Sequence, residues 1–148
     1  VDFPGRFLLR LDSEDGRIIF DAFEGGRTLT APDLRLVLKS TVGPNAELNP
    51  MHYRKAGPRD VLLRLQNNIK VRQLGARRPS AALKTLGTMV ALAPNHSELW
   101  REVGMLHARL NQIPAAIAAL EECLRHGGSE TARYQTSVLL QELRGRLH

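Results

Sequence analysis

Aromatic residues are scarce in this chain: four Phe, two Tyr and one Trp among 148 residues. The core must therefore be aliphatic, built from Leu, Ala, Val and Ile. Cysteine is scarcer still. Cys123 stands alone, which excludes an intramolecular disulfide and gives no sign of an oxidising compartment, so a cytoplasmic location is expected. No apolar run approaches the ~18 residues that a membrane helix needs, and no membrane partner is expected. Also missing is any run of five basic residues or any aromatic interleaving among them, although the formal charge is +6. The densest basic cluster is Lys70, Arg72, Arg77 and Arg78, and solvated helix faces account for it. Nucleic acid is thus not the expected partner; an anion-binding reading rests on net charge alone and would show as binding lost with rising salt. The chain opens Val1-Asp2-Phe3-Pro4 with no signal-peptide pattern, and is expected to be the later part of a longer protein.

What is present suits a folded chain. Hydrophobic residues make up 43% and charged residues 24%, at a length of one domain or two small modules. Residues 7–11 and 17–23 read as two strands of a hairpin, joined by the turn residues Asp12-Ser13-Glu14-Asp15-Gly16. Phe7, Leu9 and Leu11 are expected to share an apolar face with Ile18 and Phe20. Glu24-Gly25-Gly26 breaks the second strand. Thr30-Ala31-Pro32-Asp33 then has the chemistry of a helix start, with Thr30 as cap and Asp33 reaching back. Leu34, Val37 and Leu38 give that helix its apolar stripe. Residues 44–57, rich in Pro, Gly and Asn, read as a connector. From Pro58 onward the periodicity is helical, with breaks near 75–79, 94–95, 111–114 and 127–128. Five helices joined by short turns are antiparallel neighbours.

The helical part repeats. Shifting the chain by 34 residues places Ala81-Ala82-Leu83 on Ala115-Ala116-Ile117, Leu86 on Leu120, Met89 on Cys123 and Ile69 on Val103. That period, with Trp100, Val103, Gly104, His107, Ala116 and Leu120 at the motif positions, resembles the tetratricopeptide repeat. The residue types have a physical reason: Trp100 fills space between paired helices, while Gly104 and Ala116 lack bulk and let them approach. In the first copy Gln66 and Lys70 stand where the second has Trp100 and Gly104. A stack of this kind binds partners on the face formed by the first helix of each pair. On this register that face carries Arg64, Asn67 and Val71, then Glu98, Arg101 and Met105, continued by Ala132 and Gln135. A protein or peptide partner is the expectation.

In the first third, Phe3-Pro4-Gly5-Arg6-Phe7, then Asp21-Ala22-Phe23-Glu24-Gly25-Gly26, and further on Leu63-Arg64-Leu65-Gln66-Asn67-Asn68-Ile69-Lys70, resemble the bacterial SirB-like family. Its members carry a transglutaminase-like domain followed by tetratricopeptide-type repeats. The resemblance implies a Cys-His-Asp arrangement in which a thiolate attacks an acyl group, His takes the proton and Asp orients the His. The family's Cys position is expected upstream of this chain. Arg6 stands at the His position and Asp21 keeps the Asp position. A guanidinium, with a pKa above ~12, cannot serve as a base at neutral pH, so Asp21 is expected to pair with Arg6.

Other candidate chemistry is thin. Cys123 and His126 lie three apart on a helix, but Cys123 falls at a repeat position that takes a small buried residue. His52, His96, His107, His126 and His148 show no HxxxH or HExxH spacing, so neither a metal nor any other cofactor is expected. The fold class expected is α+β and mostly α: residues 1–43 a β-hairpin plus helix, 44–57 the connector, 58–148 a tetratricopeptide-like stack with a capping helix at the end. Three functions compete: a non-catalytic binding module, the distal part of a cysteine acyltransferase or peptidase, and an anion binder. Arg6 points away from catalysis. Unpaired hairpin edges leave room for a homo-oligomer.

Overall fold

The computed structural model describes residues 1–147; His148 lies outside the described residues. The chain divides into two compact units, residues 1–61 and residues 62 onward.

In the first unit, β1 (Asp2–Phe3) and β2 (Arg6–Phe7) pair antiparallel around a tight turn at Pro4-Gly5, where Gly5 takes φ +81°. A second sheet follows, with β3 (Leu9–Ser13), β4 (Gly16–Asp21) and β5 (Arg27–Leu29) antiparallel in that order. The expected hairpin is therefore present, but with a loop of only Glu14 and Asp15, and it gains a third strand. Its faces are the reverse of those expected. Leu8 and Ile19 are buried at 1% and 5% exposure, whereas Leu9 and Leu11 stand at 50% and 54%. The cause lies in which face α1 covers: the register sets Ile19 beside Leu29 and Arg10 on the covered face, so Leu9, Leu11 and Ile18 fall on the other. The buried face is covered by α1 (Ala31–Thr41), whose Leu34 and Leu38 pack with Phe3, Leu8, Ile19 and Leu29. Thr30 and Asp33 form the capping box read from the sequence. After α1 the connector carries one 3-10 turn, Pro50–Tyr53, and Ala46, Leu48 and Tyr53 lean on the same core.

Five helices make up the rest: α2 (Pro58–Gly75), α3 (Pro79–Leu92), α4 (Ser97–Arg109), α5 (Ile113–Arg125) and α6 (Glu130–Gly145). One cluster joins α3 and α4 through Ala82, Leu86, Met89, Leu99, Val103 and Leu106. A second joins α5 and α6 through Ile113, Ala116, Leu120, Leu140 and Leu143. The 34-residue period is visible in the backbone itself. Arg77 and Asn111, equivalent in the two repeats, take φ +56° and +57°. Each closes its helix with a Schellman pair of hydrogen bonds: Arg78 N–H to Gln73 O with Arg77 N–H to Leu74 O, and Gln112 N–H to His107 O with Asn111 N–H to Ala108 O. Gly104 is where α4 meets α5. A Cβ there would lie 2.6 Å from Leu120 Cγ and 3.2 Å from the Ala116 carbonyl oxygen.

The apolar stripe of α2 is not a core face. Leu62, Leu65 and Ile69 are 45–48% exposed, while Leu63 and Leu74 pack inward. The residues 34 positions on from Leu65 and Ile69 are Leu99 and Val103, which bury against α3. As the first helix of the stack, α2 has no preceding repeat to cover the same positions.

Two substitutions test this packing. Gly104→Leu should lower stability by about 1–3 kcal/mol through overpacking, whereas Gly87→Ala, with nothing within 4 Å of its Cβ position, should gain about 0.5–1 kcal/mol. Thermal denaturation of the pair reads both signs. Arg77→Gly should likewise raise the melting temperature, because a non-glycine residue in the left-handed region costs roughly 1–2 kcal/mol. A lower value would mean the Arg77 side chain contributes more than its backbone costs.

Candidate functional site

Arg6 leaves β2 and Asp21 ends β4, and the two side chains meet. Arg6 Nη1 donates to Asp21 Oδ2 at 2.6 Å and to Glu24 Oε1 at 3.2 Å. The other carboxylate oxygen, Asp21 Oδ1, accepts the Phe23 backbone N–H at 2.9 Å. That bond caps a 3-10 turn, Ala22–Glu24, which is why the strand stops at Asp21 and not at Phe23 as the alternation suggested. The Asp21 side chain is 1% exposed. Burial pushes its carboxyl upward, but the hydrogen bonds from Arg6 and Phe23 and the Arg6 charge outweigh that and hold it below the usual carboxylate range. Arg6 in turn is held above its ordinary value, first by its bond to Asp21. Arg6 thus brings a permanent cation to this pair, and a guanidinium cannot accept a proton at neutral pH.

The second candidate is the face that the repeat register assigns to α2, α4 and α6. On α2, Arg64 and Asn67 are half-buried and Val71 is 56% exposed. On α4, Glu98 is exposed, Arg101 half-buried and Met105 44% exposed. Arg101 is central: its Nη2 donates to Gln135 Oε1 at 3.2 Å, and its Nη1 lies 3.9 Å from Glu98 Oε2. Its Nε is buried with no hydrogen-bond partner. The α2 residues are tied to α4 by a pair that the sequence did not disclose. Lys70, only 5% exposed, donates from Nζ to Glu102 Oε2. A lysine at the position where the second repeat has Gly104 was the available signal, since a buried ammonium requires an acid nearby.

Cys123 and His126 do not form a reactive pair. Cys123 Sγ is buried beside Thr136 Oγ1 at 3.9 Å, and burial, the leading cause, pushes its thiol above the ordinary value. His126 stacks on Trp100 and lies 3.4 Å from Glu122. His107 bonds Gln112 at 2.7 Å. Among the described residues no three His, Cys, Asp or Glu side chains are grouped to hold a metal, and no helix is long and apolar enough to cross a membrane.

Known proteins of two kinds match. Residues 1–67 match the transglutaminase-like superfamily and residues 69–141 match the tetratricopeptide repeat. A UPF0162 protein of Pseudomonas aeruginosa is 38% identical over 143 residues, covering 97% of this chain and 52% of the relative. The protein SirB1 of Salmonella typhimurium is 26% identical over 143 residues, covering 94% of this chain and 53% of SirB1. The chain thus spans about half the length of the curated relatives it matches. Among solved structures, MamA 41-end from Desulfovibrio magneticus RS-1 superposes with a TM-score of 0.50 at 22% identity, over 62% of this chain and 50% of that one. This is a likeness of fold.

Two outcomes are expected from these environments. Replacing Arg6 by Met should cost about 2 kcal/mol at neutral pH, because Asp21 then stays buried without its cation. The sign with pH follows from the depressed carboxyl. Its stabilising effect is full above the unfolded value of about 4 and is lost as pH falls through the lower folded value, so wild type and variant should converge on acidification. Chemical denaturation across pH reads this. Cys123 should react with a disulfide reagent only as fast as the native fold opens, and at once in denaturant.

Proposed function

We propose that these residues, similar over nearly their whole length to the UPF0162 and SirB1 proteins, form a non-catalytic protein-interaction module that takes a peptide or partner protein on the face of α2, α4 and α6. The observation that carries the reading is the exposure of Val71 and Met105. Both are apolar, both occupy the same repeat position, and both remain open while their helices bury other residues. Around them lie Arg64, Asn67, Glu98 and Arg101, a mixed polar surround that suits a partner with charge as well as apolar anchors. Affinity capture from a bacterial lysate tests it. A partner retained by wild type and by Tyr134→Ser, which alters an exposed side chain outside the set proposed to line that face, should be lost with Val71→Glu or Met105→Glu. Equal retention by all four proteins would end the reading.

A second reading draws on Asp21, which is buried and which the family resemblance would put at the place of an orienting acid. In that reading the chain contributes to an acyltransferase or peptidase. Arg6 opposes it, being already committed to Asp21 and unable to accept a proton. Incubation with an amine donor and a glutaminyl substrate should give no thiol-dependent turnover. Turnover abolished by Cys123→Ser would reverse the choice between the two readings.

A further inference from the structure

Clefts on the first unit differ in the charge of their walls. One holds Asp12 beside Arg10 and Lys55, and a second holds Asp2 and Asp60 beside Arg54 and Lys55, so each carries acids that offset its cations. A third, of about 360 Å³, has Arg17, Arg35, Asn49 and Tyr53 on its walls and no acidic side chain. Its two cations come from different elements, β4 and α1. Arg17 Nε donates to Asp12 Oδ1 at 3.1 Å, but Asp12 Oδ2 also lies 2.8 Å from Arg10 Nη2, so one carboxylate serves two guanidiniums. The guanidinium carbon of Arg17 sits 5.9 Å from the centre of the Tyr53 ring. Arg35 is exposed and makes no hydrogen bond or ion pair among the described residues. Asn49 Oδ1 accepts the Met51 backbone N–H at 3.0 Å, so the remaining group of that side chain is an NH2 donor.

We propose that this cleft binds a phosphate monoester, whose phosphoryl oxygens bond Arg17, Arg35 and Asn49 while the organic group lies against Leu48 and Pro50. Charge and donor chemistry support the choice. Two guanidiniums on a cleft with no acid of its own suit a group that carries about two negative charges and three acceptor oxygens at neutral pH. A carboxylate brings one charge and two oxygens, and a single arginine can satisfy both side by side. Arg17 is held ready: Asp12 fixes its Nε side and the Tyr53 ring supports its plane, so less side-chain freedom is lost when a ligand binds. Solvent reaches both arginines, and one exposed ion pair contributes little, so binding needs the two cations and the amide to act on the same phosphoryl group. All of these residues belong to the first unit, and the site is independent of the helical face proposed above to take a partner.

A nuclear magnetic resonance titration of the intact chain with phenyl phosphate tests the site. Backbone amides of Arg17, Arg35, Asn49 and Tyr53 should shift together and saturate with a dissociation constant of about 1 mM or below. Arg17→Gln and Arg35→Gln should each weaken binding at least about tenfold. Arg133→Gln removes the same charge from an exposed arginine of α6 outside the cleft, and should change binding less than about twofold. A short phosphoserine peptide, compared with its unphosphorylated form, separates two sources of the phosphoryl group. Tighter binding of the phosphopeptide than of phenyl phosphate identifies a modified protein; binding of phenyl phosphate with no gain for the phosphopeptide identifies a small molecule; either result supports the site. No saturation up to about 10 mM, an equal loss in Arg133→Gln, or benzoate bound as tightly as phenyl phosphate would overturn it.

Discussion

At Gly104 the backbone of α4 takes the Leu120 side chain of α5 directly against it. A Cβ at that point would enter the Leu120 side chain, so the approach of the two helices depends on a single missing methyl group. Much follows from it. The close pair turns Leu99, Val103 and Leu106 toward α3, and Ala116 and Leu120 toward α6. The remaining face of α4 is then left to Glu98, Arg101 and Met105. Tetratricopeptide-type stacking uses small residues where helix meets helix and reserves large or polar ones for the surface that the stack presents.

Both units depart from their sequence patterns at one position, and each departure is a buried or half-buried cation matched to an acid. Arg6, which the family resemblance would put at a His position, is held by Asp21 and Glu24. Lys70 stands at the repeat's glycine position and is held by Glu102. In each case the new charge is neutralised by an acid from a different element. The physical lesson is that a motif position can change chemical class without loss of the fold, provided the charge finds a partner before it is buried. The consequence for function differs. At Lys70 the pair ties α2 to α4; at Arg6 it ties β2 to the end of β4 and leaves a cation that cannot accept a proton at neutral pH.

The helices were legible in the sequence because their signals are local and redundant. Period, turn residues and the Thr30–Asp33 box each specify the same boundaries. Gly104 was legible because the repeat gives it a second, independent context. The sheet was harder. Its inner face was misread because both faces carry apolar residues, Leu9, Leu11 and Ile18 on one and Ile19 and Leu29 on the other, and alternation alone does not say which of them α1 covers. The short β5 has only Arg27, Thr28 and Leu29 to announce it, too few for a pattern. Helix ends at Arg77 and Asn111 take the left-handed conformation without glycine, so the usual mark of a Schellman stop was absent. The half-buried Arg101 and the exposed Met105 of α4 were legible by register. The Lys70–Glu102 pair joins residues 32 apart and exists only once the helices are stacked.

Hydrogen exchange on the intact chain, read residue by residue, tests most directly whether the α4–α5 contact is what the stack depends on. The account predicts that amides within 103–106 and 116–123 exchange slowest of all, with α2, whose apolar stripe lies open, exchanging faster. Slowest exchange in α2, or uniform protection across the five helices with none at Gly104 and Leu120 standing out, would contradict it.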